Sequence, residues 1–256
     1  SPLLHFPNDH SLAYKSYHFL SYTLLHLTFD HKQTDFASDP FHPTPLQAAV
    51  VIDKHKSSAI LMVGFNRRFA PLAQHARKII AAQRGPKTIT ININAGVLPS
   101  DHWTLSPNEG GGRIVGEACH FIDLLRFLIS APISQVSLIA RFTDGQDGGK
   151  YKLEFSDGST GYINYLTDLP KTVPKEIIQV SGQGWNFEIS NWQQCRGQGV
   201  WGVNKGWGLF KKMDKGHSCA LSAFMHAAES HQPSPIPLNE IIEVSRWAIR
   251  MQAMKK

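Results

Sequence analysis

The sequence predicts an α+β protein, in which the tail of an α/β domain leads into a large, mostly antiparallel open sheet with helices on one face. Three observations predict it. The run AILMVGF at residues 59–65 is almost continuously apolar, as a strand covered on both faces of a parallel sheet would be. After residue 87 the hydrophobic period changes to two and recurs in several short segments, the pattern of half-buried strands. Helical patterns are few and stand apart from the strand runs instead of alternating with them. The 256 residues suffice for one large domain or one domain plus part of another, and the 42% apolar content can bury a core.

Taken in order, residues 1–40 mix aromatic, His and Ser residues without a sustained period. Thr44 can cap a helix with Pro45 at its first position and a body over 46–56. The apolar strand at 59–65 follows, then Asn66, Arg67, Arg68 and Phe69. A helix over 71–83 ends at Gly85-Pro86. In TITININA (88–95), Ile89, Ile91 and Ile93 share one face, and Thr90, Asn92 and Asn94 the other. Residues 96–112 form a loop with His102, Trp103 and three consecutive glycines, and 114–128 a helix. Strands are expected at 135–142, 151–155 and 160–166, with Asp157-Gly158 turning the last pair. A further pair, 176–181 and 185–190, flanks Gly182 to Gly184. Residues 191–215 are Gly- and Trp-rich and irregular; helices over 217–230 and 238–254 are joined by QPSPIP.

Composition excludes several classes. The net charge is +6, but Lys and Arg are scattered without a run of five, which argues against nucleic acid and leaves room for anionic ligands. No apolar run approaches the ~20 residues of a membrane-spanning helix. The three cysteines, Cys119, Cys195 and Cys219, are far apart; they fit a reducing cytoplasm better than a disulfide or zinc framework. Thirteen histidines invite a search for a metal site, yet the six among the first 42 residues never fall at i, i+4.

Three features could carry chemistry. The first is Gly110-Gly111-Gly112 leading into a helix on which Glu117, His120 and Asp123 recur every three residues. The glycines would let a ligand approach the backbone at the helix's positive end, and a His between two carboxylates suits proton transfer near neutral pH. The same spacing also describes a charged stripe on the surface of an amphipathic helix. The second is Asn66-Arg67-Arg68 at the end of a buried strand, where α/β sheets collect ligands and where a guanidinium meets phosphate or sugar oxygens; a solvated loop is the alternative. The third is the polar face of 88–95, Asn94 included, running on to Asp101, His102 and Trp103. That combination of aromatic platform and hydrogen-bonding groups suits a sugar, although an indole buried with its N–H paired has the same signature.

Three stretches in order, MVGFNRRFAPLA (62–73), INAGVLPSDHWTLSPNEGGGRIVGEACHFIDLLRFL (93–128) and KGHSCALSAFMHAAESHQPSPIPLNEIIEVSRWAI (215–249), resemble the Gfo/Idh/MocA oxidoreductases, named for glucose–fructose oxidoreductase and inositol dehydrogenase. The nearest likeness is to a bacterial subgroup in which such a module often follows an alcohol-dehydrogenase-like one. The resemblance implies a Rossmann domain for NAD or NADP, here incomplete or divergent over residues 1–69. It implies an α/β domain over 70–256 for substrate and oligomerisation through the open sheet, and hydride transfer to or from a carbon of a sugar or polyol. It makes His120 the acid/base and puts Trp103 near cofactor or substrate, on the cofactor side in this reading. The residue features themselves set Glu117 beside His120, Asn94, Asp101, His102 and Asp123 toward substrate, and Asn66, Arg67 and Arg68 toward the cofactor. No metal is implied. Two departures stand out. The family Asp four residues before the histidine is Gly116 here, with Glu117 next to it. The family Glu-Lys-Pro is matched by Ser38-Asp39-Pro40, so an anion replaces a cation. No glycine precedes Gly64 either, whereas a dinucleotide fold opens with a glycine-rich turn. The alternative to an enzyme is a sugar-binding or assembly subunit that no longer binds cofactor.

Overall fold

The computed structural model describes residues 13–19, 22–28, 60–105, 112–141, 148–203 and 212–254. The helix expected over 46–56, the Ser38–Pro40 segment and Gly110-Gly111 lie outside them, as does the side chain of Trp103.

The described residues build two sheets. In the first, β1 (Ala13–Phe19), β2 (Tyr22–Thr28) and β3 (Ile60–Val63) lie in that order, and both pairings are antiparallel. The parallel neighbour expected for the 59–65 run is therefore replaced by an antiparallel one. All four residues of β3 are buried, and burial on both faces gives the same apolar run whichever way the neighbour points.

The second sheet is the larger. Its strands are β4 (Thr88–Asn94), β5 (Ile133–Arg141), β6 (Gly149–Phe155), β7 (Thr160–Leu166), β8 (Glu176–Gly182), β9 (Trp185–Ser190) and β10 (Gln194–Gln198), in the order β10-β9-β8-β4-β7-β6-β5. Only β4–β7 is parallel; the other pairs are antiparallel. The two-residue alternation is obeyed: Ile89, Ile91 and Ile93 are buried with Ile163, Ile178 and Val180, while Thr90, Asn92, Tyr162 and Asn164 are half-exposed on the other face. Gly158 turns β6 into β7 with φ +82°, and Asp157 Oδ1 accepts the Ser159 N–H at 3.0 Å.

Among the described residues there are four α-helices: α1 (Pro71–Ala81), α2 (Cys119–Ile129), α3 (His217–Glu229) and α4 (Leu238–Ala253). Every residue of α2 is buried. It packs against α1, α4 and β7, so it is a core helix and not an amphipathic surface one. Gly161 on β7 allows this approach, because a Cβ there would meet the Leu125 side chain. Two polar residues of α2, Asp123 and Arg126, are paired inward. Arg126 Nε donates to Glu243 of α4 at 3.0 Å, and the other Glu243 oxygen accepts the Ile133 N–H at 2.5 Å. Helix, helix and strand are thereby fastened together. No helix among the described residues is long and apolar enough to cross a membrane.

Candidate functional site

A cavity of about 380 Å³ opens at one end of the large sheet. The ends of β3 and β4 bring Gly64, Ile93, Asn94 and Ala95 to it, and the end of β7 brings Tyr165. Antiparallel β8 starts at the same end with Glu176, preceded by Lys175. The carboxyl ends of strands are where ligands collect in open sheets. The remaining wall comes from Asn66 and Arg67, from Glu117, His120 and Phe121, and from Lys215 and His217 at the entry to α3.

Local structure places these groups. Residues Ile114–Ala118 wind as a π-helical turn directly before α2. Such turns carry an extra residue and are frequent at functional sites; Glu117 on this one and His120 just after it both line the cavity. Its entry is Gly112, φ +94°, where a Cβ would run into the Gln252 carboxamide. Gln252 Oε1 in turn accepts the Ile114 N–H at 3.2 Å. The close approach that Gly112 permits is thus to α4, not to a ligand as its sequence context suggests. His120 is 8% exposed, with the edge of its ring 83° to Phe65 at 5.8 Å between centroids.

Glu117 is held from two sides. The Tyr165 hydroxyl donates to its Oε2, and the almost fully buried Arg113 donates to the same oxygen at 3.1 Å. Arg113 also donates to the carbonyls of Gly96 (2.7 Å) and Ala95 (3.1 Å), tying the π-turn to the end of β4. Burial, and then the negative charge of Glu117, push the Tyr165 phenol far above its ordinary value, so it stays a donor.

Opposite lies an ionic cluster. Arg67 donates to Glu176 through Nε (3.0 Å) and Nη2 (2.9 Å), Lys215 Nζ donates to it at 2.6 Å, and the Trp192 indole N–H at 2.6 Å. Burial alone would raise the Glu176 carboxyl, but Arg67 and Lys215 outweigh it and hold the group at about 2. Burial, followed by the charges of Arg67 and Lys215, lowers the nearby His217 imidazole.

The candidates read from the sequence separate into groups. Asn66, Arg67, Asn94, Glu117 and His120 all line the cavity. Two of them have amide groups already engaged: Asn66 Nδ2 donates to the Lys215 carbonyl at 2.7 Å, and Asn94 Nδ2 to those of Pro170 (2.9 Å) and Val173 (3.3 Å). These two residues position the lysine-bearing segments rather than present free amides. Arg68 and Asp123 are not part of the cavity wall. They form a bidentate pair in the core, Nη2–Oδ1 2.5 Å and Nε–Oδ2 2.9 Å, with Glu240 as a third member at 3.0 Å. The three-residue spacing put Asp123 on the His120 side, but helix α2 is buried all round, so an inward carboxylate must find a cation. Asp101 and His102 also stand outside the cavity wall; His102 closes a local turn by accepting the Thr104 N–H at 3.3 Å. Trp103 begins a 3₁₀ turn.

Sequence reasoning did not single out Tyr165, Lys175, Glu176, Lys215 or His217. Strand parity could have found two of them: Tyr165 falls in step with Ile163, and Glu176 with Ile178. Nothing local marks the lysines. Among the described residues, no group of three His, Cys, Asp or Glu side chains could hold a metal ion.

Comparison with known proteins bears on this geometry. Residues 73–183 match the family model described as the GFO/IDH/MocA C-terminal domain. A D-xylose 1-dehydrogenase (NADP(+)) of Haloferax volcanii is 24% identical over 145 residues, which are 54% of this chain and 44% of that one; the match thus spans under half of the curated relative. A dehydrogenase from Clostridium difficile superposes with a TM-score of 0.63 at 20% identity, over 83% of this chain and 68% of that chain. A putative myo-inositol dehydrogenase from Sinorhizobium meliloti gives 0.60 at 20%, over 82% and 68%. At these identities the solved structures establish the shared fold.

Proposed function

Given that residues 73–183 form a GFO/IDH/MocA C-terminal domain, we propose that this chain supplies the substrate side of a nicotinamide-dependent sugar or polyol oxidoreductase. The observation that carries the reading is the meeting of Glu117 on the π-helical turn and His120 at the start of α2 with the Asn66-Arg67 strand end around a single cavity. His120 would take the proton from the substrate hydroxyl as its carbon is oxidised and return it in the reverse direction. Glu117, anchored by Tyr165 and Arg113, would fix the orientation of the reacting hydroxyl. Arg67, already oriented by Glu176, would steer neighbouring oxygens.

A nicotinamide would contribute the hydride chemistry, and its pyrophosphate needs backbone amides at a glycine-rich helix start. The described residues do not fit that need: β1, β2 and β3 are joined antiparallel, and the helix after β3 begins at Ala70-Pro71 without a glycine turn. The roles assigned here are therefore confined to substrate and proton. The chain as it stands is expected to bind NADH and NADPH more weakly than micromolar, as read by fluorescence titration; micromolar binding would overturn that expectation.

The decisive variant is His120→Ala. With a polyol and a nicotinamide, turnover should fall by about 10²- to 10⁴-fold with the melting temperature little changed. Turnover equal to the parent removes His120 from the mechanism. A parent chain that binds sugar without turning it over supports the second reading, a sugar-binding subunit, which the antiparallel first sheet favours.

A further inference from the structure

The charges around the cavity do not balance. Arg67, Lys175 and Lys215 face it together with only two carboxylates, Glu117 and Glu176. Each carboxylate already has a cationic partner. Both Glu176 oxygens are filled by Arg67, Lys215 and the Trp192 indole, so one negative charge answers two positive ones. Glu117 is answered by Arg113, which lies behind it. Lys175 has no acidic partner among the described residues, and its side chain stands exposed on the cavity wall. Its backbone is nevertheless fixed there. The Lys175 carbonyl accepts the Asn94 N–H at 2.9 Å, and the loop before it is held through the Asn94 amide. Burial first, and then the charges of Arg67 and Lys215, lower the His217 imidazole on the same wall.

Resting on the sugar-site reading above, we propose that the substrate carries an anionic group, a carboxylate or phosphate, which Lys175 receives with Arg67 and Lys215 behind it. A sugar acid or sugar phosphate is the substrate class that fits. A neutral polyol would leave the surplus cations facing its hydroxyls, which offer no countercharge. The phosphates of a nicotinamide nucleotide share this chemistry, so the test must separate the two sources.

Calorimetric titration of the full chain at low ionic strength would use glucuronate and glucose 6-phosphate against glucose, with NADPH and inorganic phosphate run alongside. At least one acidic sugar should bind about tenfold more tightly than glucose, and about 0.5 M salt should remove most of the preference. Lys175→Glu should abolish the preference and Lys175→Arg retain it; Lys175 is exposed, so both variants should melt like the parent. Equal binding of glucose and the acidic sugars overturns this inference while leaving a sugar site in place. Binding of none of the sugars removes both readings. Sensitivity of NADPH but of no sugar to Lys175→Glu assigns the cations to a nucleotide and overturns the substrate assignment.

Discussion

Replacing Asp123 with alanine is expected to destabilise the fold by about 3–5 kcal/mol, the usual cost of removing one partner of a buried ion pair. The carboxylate is fully buried and Arg68 is 3% exposed. Burial works against the guanidinium charge, but Asp123 and Glu240 hold it protonated, and arginine cannot escape by losing its proton. The variant would leave that cation inside the protein with Glu240 alone. The pair also joins the Asn66–Phe69 turn to α2, and Glu240 extends it to α4, so several elements would loosen together. Urea unfolding measures the effect. A loss of only about 1 kcal/mol, the value of a solvent-exposed pair, would falsify the buried assignment. The double variant Arg68→Met/Asp123→Leu should recover much of the loss, because an apolar pair of similar volume leaves no stranded charge.

Acid should destabilise the protein through Glu176 in a defined interval. Its ordinary value near 4.5 is drawn down to about 2 in the folded chain. Between these limits the unfolded chain binds the proton and the folded one does not, so stability rises with pH across the interval. The contribution is complete above the unfolded value and disappears as pH falls through the folded one. Its size is about 3 kcal/mol at 1.36 kcal/mol per unit. Glu176→Gln removes this titration while keeping the shape, and it breaks the bidentate grip on Arg67. The readout is the difference between parent and variant stability as pH is lowered from about 5 to about 2. Parallel curves over that range would show that Glu176 does not titrate as described.

Much of the large sheet was legible because each strand repeats a period that needs no partner to be seen. TITININ, the Asp157-Gly158 turn and the strand at 185–190 all appear where the pattern puts them. β10 was not legible: QCRGQ has one buried apolar residue, Cys195, and a glycine, so it is a strand through its pairing with β9 and not through its own preference. The site was half legible. Residues on one short segment, Glu117 with His120 and Asn66 with Arg67, can be grouped by spacing. Lys175, Glu176 and Lys215 come from separate parts of the chain, and only the folded sheet end brings them to one wall. Spacing also misled at Asp123, since an i, i+3 relation fixes a side of a helix but not whether that side meets solvent or core.

The strand order has a kinetic corollary. β5, β6 and β7 form one up-and-down meander, β8, β9 and β10 another, and within each meander strands pair only with sequence neighbours. Nothing joins β7 to β8 directly; β4 lies between them, with Ile91 opposite both Ile163 and Ile178. Local hairpins close quickly, whereas a strand recruited from far upstream carries a large loop-closure penalty. The two meanders are therefore expected to form early and β4 to stitch them together late. Ligand affinity then becomes a reporter of the final event in folding, because the pocket needs the end of β4 as well as both halves of the sheet.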